Sequence, residues 1–156
     1  MPSLTRRALL LLALGLTAAC ARRRGTAAPD NTALHPGETP RLRALINTYA
    51  EAYGLPRSLF HRVIQRESSY NPAARNGPYY GLMQILPQTA RTMGYRGSPS
   101  GLLDAETNLK YAGRYLRGAW IVAGGDEAAA VGWYARGYYY EAKRRGLLVQ
   151  TGLRAG

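Results

Sequence analysis

Apolar residues recur along this chain at intervals of three and four, and nowhere in a long alternation. Leu42, Leu45, Ile46 and Tyr49 fall on one face of a helix, and Leu59, Phe60, Val63 and Ile64 fall on the face of the next. Leu109, Ala112, Leu116, Ala119 and Trp120 form the longest stripe. Because no alternating run is long enough for a sheet, the pattern predicts a mainly α domain with little or no sheet.

Prolines and glycines place the breaks. Gly54 stops the first helix, and Pro56 suits the first turn of the second. Asn71-Pro72 and Asn76-Gly77-Pro78 are turns, and Pro87 opens a short helix through about Met93. After the loop Gly94–Gly101, the spacing predicts a helix over Asp104–Ala123, ended by Gly124-Gly125. Asp126 and Glu127 start another through Tyr134, which Gly137 breaks before a last short helix over Tyr138–Arg145.

The chain has 156 residues, one-domain length, and the globular pattern starts near Pro40. We expect three segments: a signal peptide over 1–19, a flexible linker over 20–39 and a folded domain over 40–150. Arg6 and Arg7 precede an apolar run from Ala8 to Ala19, too short to cross a bilayer but suited to an export-signal core. Thr17-Ala18-Ala19-Cys20 resembles a bacterial lipobox that would lipidate Cys20, with Thr17 where that pattern prefers leucine. Ala19-Cys20-Ala21 also reads as an ordinary cleavage site, and Thr5–Leu10 resembles a twin-arginine signal. Each version exports the chain, to the periplasm or to an outer-membrane anchor. Arg22–Thr39 lacks periodic apolar residues, and Arg22-Arg23-Arg24 could lie against anionic headgroups.

Formal net charge is +12, which suits an acidic partner of some kind: nucleic acid, anionic lipid or an acidic wall polymer. Export demotes nucleic acid, and none is expected as a partner. With Cys20 as the one cysteine, no intramolecular disulfide can form. His35 and His61 are scattered in sequence and predict no metal site.

One residue stands out chemically. Glu67 follows Val63 and Ile64 by four and three positions, on the stripe that faces the core. Burial penalises a charged carboxylate and raises its pKa, which is how a general acid is made. The ordinary alternative is a salt bridge to Arg62 or Arg66.

Order and spacing decide between these. Glu67-Ser68 ends a helix, an Asn-Pro turn follows, and Gly81-Leu82-Met83-Gln84 begins about fourteen residues later. Pro87-Gln88-Thr89-Ala90, Asp104–Leu109 and Arg114–Leu116 come next. This succession, over about Ala44 to Tyr140, resembles the catalytic domain of the soluble-type lytic transglycosylases, lysozyme-like enzymes that cut bacterial peptidoglycan. The resemblance implies a single lysozyme-like helical domain, a monomer without cofactor or metal, and peptidoglycan glycan strands as partner. It implies Glu67 as acid and then base at the bond between N-acetylmuramic acid and N-acetylglucosamine. It gives Ser68 a role in orienting that carboxyl or touching substrate, lines the cleft with Met83 and Gln84, and places Tyr134 near the acid. Gly81 would let the chain pass close to the glycan.

Tyrosine is used twelve times and phenylalanine once. Its apolar face and polar tip suit sugars, so Tyr79, Tyr80 and Tyr138–Tyr140 are candidate glycan contacts, while Trp120 and Trp133 are expected in the core. No second acid falls between Glu67 and Gln84, which favours a single-carboxylate transglycosylase over a two-carboxylate hydrolase. In the family the muramic acid acetamido group assists and its 6-hydroxyl closes a 1,6-anhydro ring. The chain departs from the family at Tyr134-Ala135-Arg136-Gly137, where asparagine usually follows the tyrosine, and the segment before Gly81 looks short. That departure keeps two other readings in play: a wall-binding module without catalysis, and a hydrolytic muramidase.

Overall fold

Capping side chains and prolines set where the helices begin. In a computed structural model describing residues 33–156, α1 spans Pro40–Tyr53, with the Thr39 hydroxyl accepting the Leu42 N–H at 3.2 Å. Gly54 ends it in the left-handed conformation at φ 63°. α2 (Arg57–Ser68) follows Pro56, and α3 (Pro87–Thr92) begins on its own proline. Asp104 caps α4 (Ala105–Val122) through Thr107 N–H at 2.8 Å, and Asp126 caps α5 (Glu127–Arg136) through Ala129 N–H at 2.7 Å. α6 (Tyr139–Arg144) closes the set. The protein is mainly α, as the stripes predict.

Two features depart from the periodicity. The segment Gly94–Gly101, expected as loop, ends in a 3-10 helix over Pro99–Leu103. The turn at Asn76-Gly77-Pro78 carries a minimal hairpin, β1 (Arg75–Asn76) against β2 (Tyr79–Tyr80), with Arg75 opposite Tyr80 and Asn76 opposite Tyr79. Strands of two residues are too short to leave an alternating signature.

α4 is the centre of the fold and packs against α1, α3, α5 and the 3-10 helix. Its buried face carries Leu109, Ala112, Leu116 and Ala119, which meet Ile46 and Ala50 of α1 and Leu59, Phe60, Val63 and Ile64 of α2 in one core. Gly113 lets these helices close up, because a β-carbon there would stand 2.8 Å from the Phe60 ring and 2.9 Å from Tyr53.

The folded part begins before Pro40. Glu38, read from the sequence as linker, has a fully buried carboxylate that accepts hydrogen bonds from Arg43 Nε and Nη2 at 2.6 Å each. His35 stacks on Tyr70 with ring centroids 5.3 Å apart. Hydropathy marks such residues as linker because it cannot register a buried ion pair. The expected signal segment 1–19 and Cys20 lie outside the described residues. Among the described residues no helix is long and apolar enough to cross a membrane.

Candidate active site

Glu67 occupies the last turn of α2. Val63 and Ile64 beneath it are fully buried, and its side chain retains 22% exposure. Burial pushes its carboxyl pKa up, and the Arg66 guanidinium, with Nε 3.6 Å from Oε1, opposes that rise. The chain then leaves the helix through two non-glycine residues at positive φ, Ser69 (48°) and Tyr70 (65°), which ends α2 abruptly and keeps Glu67 at a helix end.

The wall opposite is the loop Gly81–Leu86, held by one buried side chain. Asn108 of α4, wholly buried, donates from Nδ2 to the carbonyls of Tyr80 (2.8 Å) and Leu102 (2.9 Å) and accepts Met83 N–H at Oδ1 (2.9 Å). This contact by itself requires glycine at position 81. At φ 75°, its β-carbon would sit 2.3 Å from both Asn108 Nδ2 and the Leu102 carbonyl. Gln84, also at positive φ (48°), donates from Nε2 to the carbonyls of Gly81 (2.8 Å) and Ala74 (3.1 Å). These two carbonyls hold the amide in one orientation and leave Oε1 buried without a hydrogen-bond partner. Tyr134 of α5 reaches across to donate its hydroxyl to the Met83 carbonyl at 2.8 Å. Burial, then the Glu67 charge, raises the Tyr134 pKa well above the ordinary value, so the phenol stays neutral.

Between these walls lie two adjoining cavities. One, of about 270 Å³, is lined by Arg66, Glu67, Asn76, Tyr79, Gln84, Tyr134 and Ala135. The other, of about 180 Å³, shares Tyr79, Gln84, Tyr134 and Ala135 and extends to Thr89, Tyr115, Arg136 and Gly137. Together they make a groove with Glu67 near one end.

Of the residues singled out from the sequence, Glu67, Gln84 and Tyr134 meet in this groove. Met83 does not line it, since its side chain is fully buried in the core and contributes only backbone groups. Tyr80 is turned toward Arg75, whose guanidinium lies 4.5 Å over its ring, and Tyr79 takes the groove position instead. Two successive strand residues point to opposite faces, so choosing between them needs the hairpin register. The Ser68 hydroxyl turns back to the Ile64 carbonyl at 3.4 Å and is absent from both linings. Tyr138 is a core residue, 1% exposed, whereas Tyr139 and Tyr140 are open to solvent. Trp133 and Trp120 are only partly buried against the core.

Asn76 reads only as a turn residue, and Asn108 and Tyr115 lie within the Asp104–Leu109 and Arg114–Leu116 motifs without a role of their own. Asn76 carried a turn signal that masked its side chain, and Asn108 looks from the sequence like one more polar residue in a helix.

The remaining described acids have structural work. Glu38 pairs with Arg43, Glu51 with Arg57, and Glu141 with Arg144 and Arg145. Asp104 and Asp126 cap helices, Glu106 accepts from Tyr49, and Glu127 accepts from Ser58. Among the described residues, only Glu67 brings a carboxylate to the groove.

His35 and His61, distant in sequence, converge with Glu38 so that their ligand atoms lie within 4.8 Å of one another. The Arg43 guanidinium engages both Glu38 oxygens, and the Tyr70 hydroxyl lies 2.8 Å from His61 Nδ1. A cation there would face a fixed positive charge, so the cluster is better suited to pinning Ala33–Thr39 onto the domain than to holding a metal.

The sequence matches the family described as the transglycosylase SLT domain over residues 44–146. Over 80 residues it is 38% identical to the membrane-bound lytic murein transglycosylase C of Yersinia enterocolitica, covering 46% of this chain and 22% of that protein. The protein of the same name from Serratia proteamaculans is 36% identical over 80 residues, with the same coverage. The chain thus spans about a fifth of the length of the curated relatives it matches.

Proposed function

The chain belongs to the transglycosylase SLT domain family, and from that premise we propose that it is a peptidoglycan lytic transglycosylase with Glu67 as its single acid and base. The observation that carries this reading is a lone carboxylate, raised in pKa by burial, in a groove that no other described carboxylate lines. Glu67 protonates the glycosidic oxygen as the bond from muramic acid C1 breaks. The muramic acid acetamido oxygen supports the electron-poor C1. Its 6-hydroxyl then attacks C1 and returns its proton to Glu67, which closes the 1,6-anhydro ring without consuming water.

The other groups orient substrate. Gln84, its amide locked on the Gly81 and Ala74 carbonyls, gives the groove a fixed polar wall against which the acetamido group is placed. Tyr79 offers a ring face to sugar, and Arg66 limits how far the Glu67 pKa climbs. Export, with Cys20 as a lipid anchor, brings the enzyme to the wall. The relatives are named as membrane-bound, which fits such an anchor.

Digestion of sacculi by wild type and by Glu67→Gln, read by mass spectrometry, tests the proposal. Release of 1,6-anhydro products by wild type alone is expected. Products heavier by one water would instead indicate a muramidase. Sacculus binding without any soluble product would indicate a wall-binding module, the reading that Ala135 on the groove wall keeps open.

A further inference from the structure

A third cavity adjoins the groove at the end away from Glu67. It has about 500 Å³ and shares Arg136 and Gly137 with the cavity before it. Its lining joins the aromatic rings of Trp133, Tyr139 and Tyr140 to Arg136 and to the Glu141–Arg144 ion pair, in which the one carboxylate is already neutralised. Tyr139 and Tyr140 are 47% and 84% exposed, and their rings stand edge to face with centroids 5.4 Å apart. The Arg136 guanidinium carbon lies 3.8 Å from the Trp133 ring centroid. That stacking holds the arginine in place while leaving its N–H edge available, because a planar cation can stack and donate at once. Among the described residues no hydrogen bond or ion pair engages that edge, whereas Arg144 and Arg145 nearby are committed to Glu141.

Resting on the reading above, we propose that Trp133, Arg136, Tyr139 and Tyr140 form a second glycan subsite, remote from the reacting bond, which stacks a sugar on the tyrosines and pairs Arg136 with a carboxylate of its peptide substituent. Continuity with the groove selects the occupant. A glycan running past Glu67 and along Tyr134 and Ala135 reaches Arg136 next, and a wall glycan carries carboxylates on its lactyl and stem-peptide groups. Exposed aromatic rings beside one fixed guanidinium match a polymer that alternates sugar faces with acidic branches. The subsite makes this protein a reader of peptide-bearing strands as well as a cutter of them.

The test compares wild type, Tyr140→Ala, Arg136→Ala and Arg136→Lys on three substrates: sacculi, strands stripped of peptide by an amidase, and the shortest oligosaccharide cleaved. Tyr140→Ala is expected to lower the ratio of kcat/KM on long strands to that on the short one by about tenfold, the scale of one lost aromatic contact. An unchanged ratio overturns the stacking role. Arg136→Ala is expected to lower the preference for peptide-bearing over stripped strands by about tenfold, with Arg136→Lys in between, and an unchanged preference overturns the carboxylate role. Sedimentation of Glu67→Gln protein with sacculi, with and without the same substitutions, reads the subsite without any turnover. If wild type releases nothing, the catalytic reading fails while sedimentation still decides: weaker binding by the Arg136 and Tyr140 variants supports the subsite, and undiminished binding overturns it.

Discussion

The Tyr134 hydroxyl donates to the Met83 carbonyl at 2.8 Å, tying α5 to the loop that carries Gln84 across a sequence gap of 51 residues. This bond couples the two walls of the groove. Tyr134→Phe keeps the ring and leaves a buried carbonyl unpaired, so a loss of about 1–3 kcal/mol is expected in denaturant titrations. The released loop should raise KM more than it lowers kcat, which steady-state kinetics on a soluble muropeptide will read.

Replacing Glu67 with glutamine keeps the shape and removes the proton. Activity should fall by about 10²–10⁴-fold. Stability should move the other way near neutral pH. A buried carboxyl whose pKa is raised on folding holds its proton longer in the folded state than in the unfolded one, so folding stability drops as pH rises through that interval. The glutamine variant escapes this drop, and its melting temperature at pH 7 should equal or exceed that of wild type.

Arg66 sets the upper limit of the pH profile. Its charge lowers the Glu67 pKa against the larger effect of burial. Because the first step needs the protonated acid, the rate should fall as pH rises above that pKa. Arg66→Ala removes the opposing charge and should shift this alkaline limb to higher pH, while Arg66→Lys should shift it less. A pH profile of kcat that stays fixed in Arg66→Ala would exclude Glu67 as the titrating group.

Gly81 and Asn108 are one device. Gly81→Ala forces a β-carbon into the Asn108 amide at a backbone angle that alanine resists, and at least about 2 kcal/mol of stability should be lost. Asn108→Ala removes three hydrogen bonds and strands the Met83 N–H and the Leu102 carbonyl, the Tyr80 carbonyl keeping the Ile85 N–H, with an expected cost of about 2–4 kcal/mol. Calorimetry or urea unfolding checks both, and neither change should alter the shape of the pH–rate profile.

The ion pair of Glu38 and Arg43 gives acid sensitivity. Burial raises the Glu38 pKa, but the Arg43 hydrogen bond, the His35 N–H and the nearby charges outweigh it and hold the carboxyl below its ordinary value. A depressed carboxyl contributes stability above its unfolded pKa and loses it as pH falls through the folded one. Arg43→Ala should therefore destabilise the domain by about 3–5 kcal/mol at pH 7, with a smaller difference from wild type once pH falls below the usual carboxylate range. Thermal melts from pH 3 to pH 7 would show it.

Helices and their ends were legible residue by residue. The three apolar stripes, the caps at Asp104 and Asp126 and the stop at Gly54 are local properties, written in spacing and backbone preference. Glu67 was legible for the same reason, because its offset from Val63 and Ile64 already places it at the edge of a buried face. The neighbours of Glu67 were not legible to the same degree. Met83 and Gln84 are adjacent and both read as groove residues, yet Met83 points into the core and Gln84 into the groove. Tyr79 and Tyr80 both read as glycan contacts, and the pairing of a hairpin only two residues deep leaves Tyr79 alone in the groove. Asn108, on which the loop depends, acts across 25 residues on Met83, and the Asp104–Leu109 motif around it does not say which partner it reaches. Local order comes from interactions a few residues apart, which spacing records directly. Which side of a loop faces a groove depends on partners brought together by packing of α4 against the rest, and that information exists only once the chain has folded.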